Sequence, residues 1–373
     1  MTFRSRKAAM RKAKIIGTGM AVPDCVVDNH LLARCFTTSD EWITQRSGIK
    51  ERRVVPSTYR FLLRLAEAPD KAAYLREVYE RGVDGRIDAE VTPADLGREA
   101  AEMALKNAGL QIDDIDFIVV TTTIPEYAYP HTGAVMSAKF GLTSTPVLNL
   151  QQGCSGFVYG LSVADAFIRI GTYQRVLVVG AEALSTMLEF SDRGRDMAVL
   201  FADGAGAVVL QSVDESSRSG FISHHLHQDG TILDKLFGEI YGASTYPIVS
   251  KKKIDDGRAK PYMNGRAVFS QAVRRFKEVM REALEANGLT PEDIDFYLFH
   301  QANQRILDSI AEHAKIPEHK LFNNVHKYGN TSAASVPICI HEAYSAGLIR
   351  EGDLVLTAAF GAGFAWGASL FRW

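Results

Sequence analysis

A chain of 373 residues, 46% hydrophobic and 23% charged, has enough apolar content to bury one large core or two ordinary ones. Its formal charge of −2 argues against nucleic acid or an anionic membrane as the main partner, and no uninterrupted apolar run is long enough to cross a bilayer. Four cysteines, Cys25, Cys35, Cys154 and Cys339, form no C-x-x-C pair, which suggests neither a zinc ribbon nor a disulfide framework and suits a reducing cytoplasm.

Residues 1–12 read as a frayed basic arm without the apolar centre of a signal peptide, and Ala13 to Met20 read as the first strand. In TTSDEWITQRSGIKERRVV, residues 37–55, Ser39 ahead of Asp40 and Glu41 predicts an N-cap and an acidic first turn. Arg46, Lys50, Arg52 and Arg53 cluster near Trp42, and taken alone they describe a solvated helix face with one packed indole. Residues 56–92 place Phe61, Leu62, Leu65, Tyr74, Leu75 and Val78 at helical spacing in an Arg- and Glu-rich stretch, which reads as an inserted helical excursion.

The stretch PVLNLQQGCSGFVYGLSVADAFIRIG, residues 146–171, carries the main chemical signal. An apolar strand, Pro146 to Leu150, breaks at Gly153, and helical spacing begins after Cys154 with Phe157, Val158, Leu161, Ala164 and Ile168. Cys154 therefore falls at a strand-to-helix turn. There the helix N-terminus favours a thiolate and lowers the thiol pKa, while Gly153 and Gly156 leave room for a substrate. The competing reading is a buried structural cysteine.

The chain also resembles itself. AAEMALKNAGLQIDDIDFIVV, residues 100–120, matches VMREALEANGLTPEDIDFYLF, residues 279–299, with Leu105 on Leu284 (284 − 105 = 179). The same spacing carries Gly109 onto Gly288, Asp116-Phe117 onto Asp295-Phe296, and Val176-Leu177 onto Val355-Leu356. Each copy reads as helix, Gly cap, strand, helix and strand, an α/β unit with a mostly parallel, buried sheet. Two similar halves follow, 13–215 and 216–373, packed about a pseudo-twofold axis. The spacing sets His300 opposite Thr121 at strand ends and Cys154 opposite Ala333, so Cys154, His300 and Asn330 can converge where ligand sites of α/β sheets form.

Four motifs, GCSGFVYGLSVAD, FHQANQRI, HKYGNTSAASVP and FGAGFAWG, resemble β-ketoacyl-acyl-carrier-protein synthase III of the thiolase-fold condensing enzymes. The resemblance runs over nearly the whole chain from residue 13, residues 56–92 excepted, and implies a layered αβαβα architecture. It makes Cys154 the nucleophile that takes an acyl group from acyl-CoA, and His300 and Asn330 the donors to the enolate left when malonyl-acyl-carrier protein loses CO₂. The oxyanion would lie against the backbone N–H groups of Cys154 and Ala362, where the family commonly has glycine at the second position. That departure is tolerable if φ at Ala362 is negative.

Further roles follow from the resemblance alone. Trp42 and Arg193 would flank the CoA adenine with Arg46 near the phosphates, Asn303 would border the pantetheine channel, and Arg305 would dock the acidic carrier protein. Tyr129, in EYAYPHTG, would limit the acyl channel of a partner subunit, which requires a homodimer. No cofactor or metal is implied, although HHLH at 224–227 raises the question of a metal that lacks a third ligand. Related enzymes that move an acyl group to oxygen or nitrogen, or that prime specialised metabolites, remain the alternative to fatty acid initiation. A non-catalytic acyl-binding subunit would be expected to have lost the nucleophile. The excursion at 56–92 is either a border of the CoA or acyl entrance or a surface decoration.

Overall fold

The computed structural model describes residues 11–81, 90–239, 242–244, 246–248, 250–258 and 260–373. Residues 1–10 of the basic arm and 82–89 of the excursion lie outside the described residues. In chain order the first part contains β1 (Arg11–Ala21), β2 (Val26–Asp28), α1 (Asn29–Cys35), α2 (Asp40–Ser47), β3 (Glu51–Arg53), α3 (Pro56–Glu67), α4 (Lys71–Arg81) and α5 (Pro93–Ala108). There follow β4 (Phe117–Thr121), α6 (Thr132–Phe140), β5 (Val147–Leu150), α7 (Gly156–Arg169), β6 (Arg175–Ala183), α8 (Arg195–Ala198) and β7 (Asp203–Asp214). The second part runs β8 (Gly220–Gln228), β9 (Leu236–Phe237), α9 (Lys251–Asp255), β10 (Tyr262–Met263), α10 (Gly265–Ala286), β11 (Phe296–Phe299) and α11 (Gln304–Ala314). It closes with α12 (Val325–Tyr328), α13 (Ser335–Ser345), β12 (Leu354–Gly361) and β13 (Ala365–Arg372).

Two sheets carry the architecture, one ordered β1-β7-β6-β4-β5 and the other β11-β12-β13-β8. Their strands come from opposite sides of residue 215. Helix α5 covers the outer face of the first sheet with Ala100, Ala104 and Leu105, and α10 and α11 cover the second with Phe276, Val279 and Leu307. Between the sheets lie α7 and α13, whose Phe157, Leu161, Val336 and Ile340 share one core with residues of both. The layers are therefore helix, sheet, helix, sheet, helix, the αβαβα stack of the thiolase-like fold.

The repeat has a structural cause at Asp116 and Asp295. Asp116 accepts the Arg175 N–H at 2.9 Å and Asp295 accepts the Leu354 N–H at 2.8 Å, so each carboxylate pins the start of the neighbouring parallel strand. Gly109 and Gly288 both take left-handed backbone, φ 69° and 64°, at the ends of α5 and α10.

Two expectations change. The sheets are mixed rather than mostly parallel: β4 pairs parallel with β5 and β6, and β11 with β12, but β7 and β13 run antiparallel to their neighbours. The repeat covers the helix–strand unit, whereas the last strand of each half turns back on the one before it, as the short link from Gly361 to Ala365 requires. Among the described residues the second half also lacks a strand matching β5, and an isolated parallel bridge from Tyr297 to Leu321 takes its place.

Candidate active site

Cys154 sits in a single 3₁₀ turn, Gly153–Ser155, that opens directly into α7. Gly153 has φ 52°, and a Cβ there would stand 3.1 Å from the Ala362 nitrogen. A Cβ on Gly361 would stand 2.7 Å from the Cys154 nitrogen, so only glycine lets the end of β12 pass this close to the Cys154 turn. The two backbone N–H groups expected to form an oxyanion hole are thereby neighbours. Lys315 and Ser332 are the non-glycine residues with positive φ among the described residues, so Ala362 meets the condition placed on it.

The thiol is buried, and burial pushes it up to about 12; a hydrogen bond from the Ser332 hydroxyl opposes that rise and the charge of Glu182 adds to it. The lowering expected from the helix N-terminus is thus outweighed by desolvation, and the resting thiol is protonated.

His300 follows β11 directly and is anchored by its own N–H to the Ala358 carbonyl at 2.9 Å. Its Nδ1 lies 2.6 Å from the Ser335 hydroxyl, which also accepts the Gln301 N–H at 3.4 Å. With that hydroxyl donating to Nδ1, the proton of the neutral ring is on Nε2, free to serve as a donor. Burial pushes the ring down to about 3, so it stays neutral through the physiological range.

Asn330 comes from the second half but is bonded to the first. Its N–H donates to the Leu200 carbonyl at 2.9 Å and its carbonyl accepts the Ala202 N–H at 3.0 Å. Its Oδ1 accepts the Ser332 N–H at 2.9 Å, which fixes the amide orientation and leaves Nδ2 as the donor. Ser332 opens a 3₁₀ turn, Ser332–Ala334, that leads into α13 as the Cys154 turn leads into α7. Its φ of 49° matches that of Gly153, 179 positions earlier (332 − 153 = 179). For a serine such backbone costs about 1–3 kcal/mol. The two turns pack together, with a Cβ on Gly156 lying 3.7 Å from Ala333 Cβ. Cys154, His300 and Asn330 are all anchored on or beside this pair of turns.

The flanking residues are placed less uniformly. The guanidiniums of Arg46 and Arg195 stand 4.6 Å and 4.5 Å from the Trp42 ring centroid. Arg193, the residue expected there, instead turns its Nε to both oxygens of Glu189 at 2.9 Å and packs against Gly257. The motif DRGRD holds two arginines, and α8 begins at the second, which orients Arg195 rather than Arg193 toward the indole. Asn303 caps α11 by accepting the Arg305 N–H at 2.8 Å and donates to the Arg46 carbonyl at 3.0 Å, so it ties α11 to α2. Arg305 is exposed, 5.7 Å from the Phe269 ring centroid, and Tyr129 is 88% exposed. On β8, His225 and His227 both bond Glu282 while His224 turns to Asp165 through the opposite face; among the described residues no group of three or more potential ligands is arranged to hold a metal ion.

Sequence reasoning missed Ser332 and Ser335, which hold Asn330 and His300. Only the duplication hinted at them, because Ser332 and Ser335 occupy the places of Gly153 and Gly156 in the other half.

Comparison with known proteins agrees with this geometry. Residues 148–230 match the family described as 3-oxoacyl-[acyl-carrier-protein (ACP)] synthase III, and residues 284–373 match its C-terminal counterpart. A β-ketoacyl-[acyl-carrier-protein] synthase III of Alkalilimnicola ehrlichii is 41% identical over 367 residues, 98% of this chain and 100% of its own. The crystal structure of 3-oxoacyl-[acyl-carrier-protein] synthase III from Aquifex aeolicus superposes with a TM-score of 0.80 at 36% identity, covering 97% of this chain and 100% of that one. The priming β-ketosynthase of the R1128 polyketide pathway gives the same TM-score, 0.80, at 27% identity, with 98% of each chain covered. The chain belongs to the β-ketoacyl-acyl-carrier-protein synthase III family, the acyltransferases that condense an acyl-CoA with malonyl-acyl-carrier protein to begin fatty acid synthesis.

Proposed function

We propose that Cys154 carries the acyl group, that His300 and Asn330 stabilise the enolate of the decarboxylated malonyl unit, and that the enzyme works as a cytoplasmic homodimer. The observation that carries this reading is the packing of two matching turns, one bearing Cys154 and the other holding Asn330 through Ser332. In the first step the Cys154 sulfur bonds the thioester carbonyl, the bond to the CoA sulfur breaks, and the thiol proton ends on CoA. The tetrahedral oxyanion forms against the N–H groups of Cys154 and Ala362, each worth about 10²-fold to 10³-fold in rate. In the second step the malonyl carbon–carboxyl bond breaks and CO₂ leaves. Its electron pair becomes an enolate held by Asn330 Nδ2 and His300 Nε2–H. The enolate carbon then bonds the acyl carbonyl and expels Cys154 as thiolate.

A neutral imidazole suits this use, because a donor that stays uncharged does not compete with the substrate for protons. On the CoA side, Trp42, Arg46 and Arg195 supply an aromatic face and two planar cations suited to a purine and its phosphates. Arg193 is proposed for the outer rim of that site, and Asn303 for the wall that joins it to the pantetheine channel. Exposed Arg305 is a suitable contact for an acidic carrier protein. Exposed Tyr129 stands on the loop before α6, whose Gly133 N–H bonds Asn149 of the edge strand β5 at 3.3 Å, and a second copy covering that edge and loop would bury it. The four cysteines are free thiols, which suits the reducing cytoplasm. No helix among the described residues is long and apolar enough to cross a membrane.

The likeness to a polyketide priming enzyme supports a second reading, in which the primer serves a specialised product. Incubation with malonyl-acyl-carrier protein and a series of acyl-CoAs separates the two. Acetyl-CoA or another short primer giving 3-oxoacyl-carrier protein supports fatty acid initiation, and exclusive use of an unusual primer supports the alternative. Full product formation by Cys154→Ala would refute both.

A further inference from the structure

Gln301 follows His300 in the chain, is 1% exposed, and has no part in the condensation steps above. Its side-chain amide is bonded at every position it offers. Nε2 donates to the Phe299 carbonyl at 2.9 Å and the Phe322 carbonyl at 3.4 Å, and Oε1 accepts the Asn324 N–H at 3.1 Å and the Val325 N–H at 3.2 Å. Two carbonyls at one atom and two N–H groups at the other fix which way the amide points. The backbone N–H of Gln301 reaches the Ser335 hydroxyl that also bonds His300. In the first half the matching position is Thr122 (301 − 122 = 179), whose hydroxyl reaches the Ile124 carbonyl, two residues on, and Glu182. The longer Gln301 side chain reaches residues 21 and 24 positions downstream. There the chain leaves the sheet, after the Phe322 N–H bonds the Tyr297 carbonyl at 3.2 Å, and the amide supplies backbone partners that a neighbouring strand would otherwise supply.

These bonds join two separate anchors. His300 hangs on the second sheet through the Ala358 carbonyl, whereas Asn330 hangs on the first half through Leu200 and Ala202. Between them runs α12, in which the Tyr328 and Gly329 N–H groups close on the Asn324 and Val325 carbonyls at 3.1 Å and 2.9 Å, and Asn330 is the next residue. We propose that Gln301 is a positioning residue for decarboxylation: by pinning the start of α12 to the end of β11 it sets Asn330 against His300, so that both donors meet one enolate oxygen. The inference rests on the reading of His300 and Asn330 as the enolate donors. The Gly153–Ser155 turn that carries Cys154 takes none of the Gln301 bonds, so acylation lies outside its reach.

The test separates the two half-reactions on the full chain. Gln301→Met removes all four side-chain bonds at similar volume. Single-turnover CO₂ release from malonyl-carrier protein should fall about tenfold or more, the scale of a misplaced donor, while acyl loading of Cys154 stays within about twofold. In an Asn330→Ala background, where the second donor is already gone, the same substitution should cost no more than about threefold, because residues that act through one another are not additive. Gln301→Glu decides the matter if Gln301→Met does not fold. Protonated, its side chain still accepts both N–H groups and donates to one carbonyl; ionised, it turns a negative oxygen toward the Phe299 and Phe322 carbonyls. Its CO₂ release should therefore fall as pH rises, while its acyl loading follows the wild type. The neighbouring ionisable groups do not supply that change: His300 stays neutral, and Glu342, raised by burial, is held below the ordinary carboxylate value by hydrogen bonds from Tyr328, Asn324 and Lys327. Wild-type CO₂ release by Gln301→Met, an equal loss of acyl loading, the full loss retained in the Asn330→Ala background, or a Gln301→Glu pH profile that superimposes on the wild type overturns the proposal. Wild-type CO₂ release by both Asn330→Ala and His300→Ala would instead overturn the reading on which it rests.

Discussion

Asn330 has one polar side-chain atom committed to the protein and one left for chemistry. Replacement by alanine removes the Nδ2 donor and, with Oδ1, the acceptor of the Ser332 N–H, while the Gly153–Ser155 turn that carries Cys154 keeps its own backbone bonds. Asn330→Ala should therefore lower malonyl decarboxylation about 10²-fold or more while leaving Cys154 acylation within a few fold. Separate single-turnover measurements of acyl loading and CO₂ release check this, and equal loss of both would remove the division of roles. The arginines near Trp42 give a second comparison. Arg195→Ala should raise the KM for acyl-CoA by about tenfold, the scale of a partly desolvated cation–π contact, and Arg193→Ala by much less, since its guanidinium is held by Glu189. The opposite order would restore Arg193 to the adenine site. The candidates Cys154, His300 and Asn330 stand out in the sequence because each lies in a distinctive motif with a definable backbone context. The placing of Arg195 rather than Arg193 at the indole does not, because a choice between two nearby arginines is settled by tertiary packing.

The helical spacing of residues 56–81 announced α3 and α4 but could not say which face is covered. Helix α3 buries Leu62 and Leu65 against Leu32, Leu188, Phe190 and Met197, and the Thr58 hydroxyl accepts from the Ser185 hydroxyl at 2.9 Å. Phe61 lies 5.9 Å from Phe190. Far from a surface decoration, α3 forms part of the core beneath the 184–201 segment that carries Arg193 and Arg195. Leu32 apart, the partners just named are more than a hundred residues downstream, beyond the reach of any local pattern. Leu62→Ala should cost about 2–5 kcal/mol in a urea unfolding experiment, the range for a fully buried leucine. Removing residues 57–90 should abolish the fold rather than shift the acyl-donor profile. A stable deletion protein, or a Leu62→Ala effect below about 1 kcal/mol, would make α3 an appendage after all.

At the scale of the molecule, duplication explains why one site needs both halves. Each half supplies a strand end and a 3₁₀ turn opening a central helix, and the two sets of residues have diverged in chemistry at matching places: Cys154 against Ala333, Thr121 against His300, Gly153 against Ser332. The 179-residue repeat points to one helix–strand unit in each half, and α5 with β4 and α10 with β11 are those units. It did not show the returning strands β7 and β13, or that the described residues of the second half hold no strand matching β5, since these depend on pairing partners outside the repeated unit. The central claim is that this assembled site takes an acyl group onto Cys154. Intact-protein mass spectrometry after mixing with acetyl-, butyryl-, octanoyl- and longer acyl-CoAs, with Cys154→Ala alongside, tests it most directly. The account predicts a mass gain equal to the acyl group with at least one CoA and none in Cys154→Ala. A gain that persists in Cys154→Ala, or no gain with any of the CoAs, would contradict it.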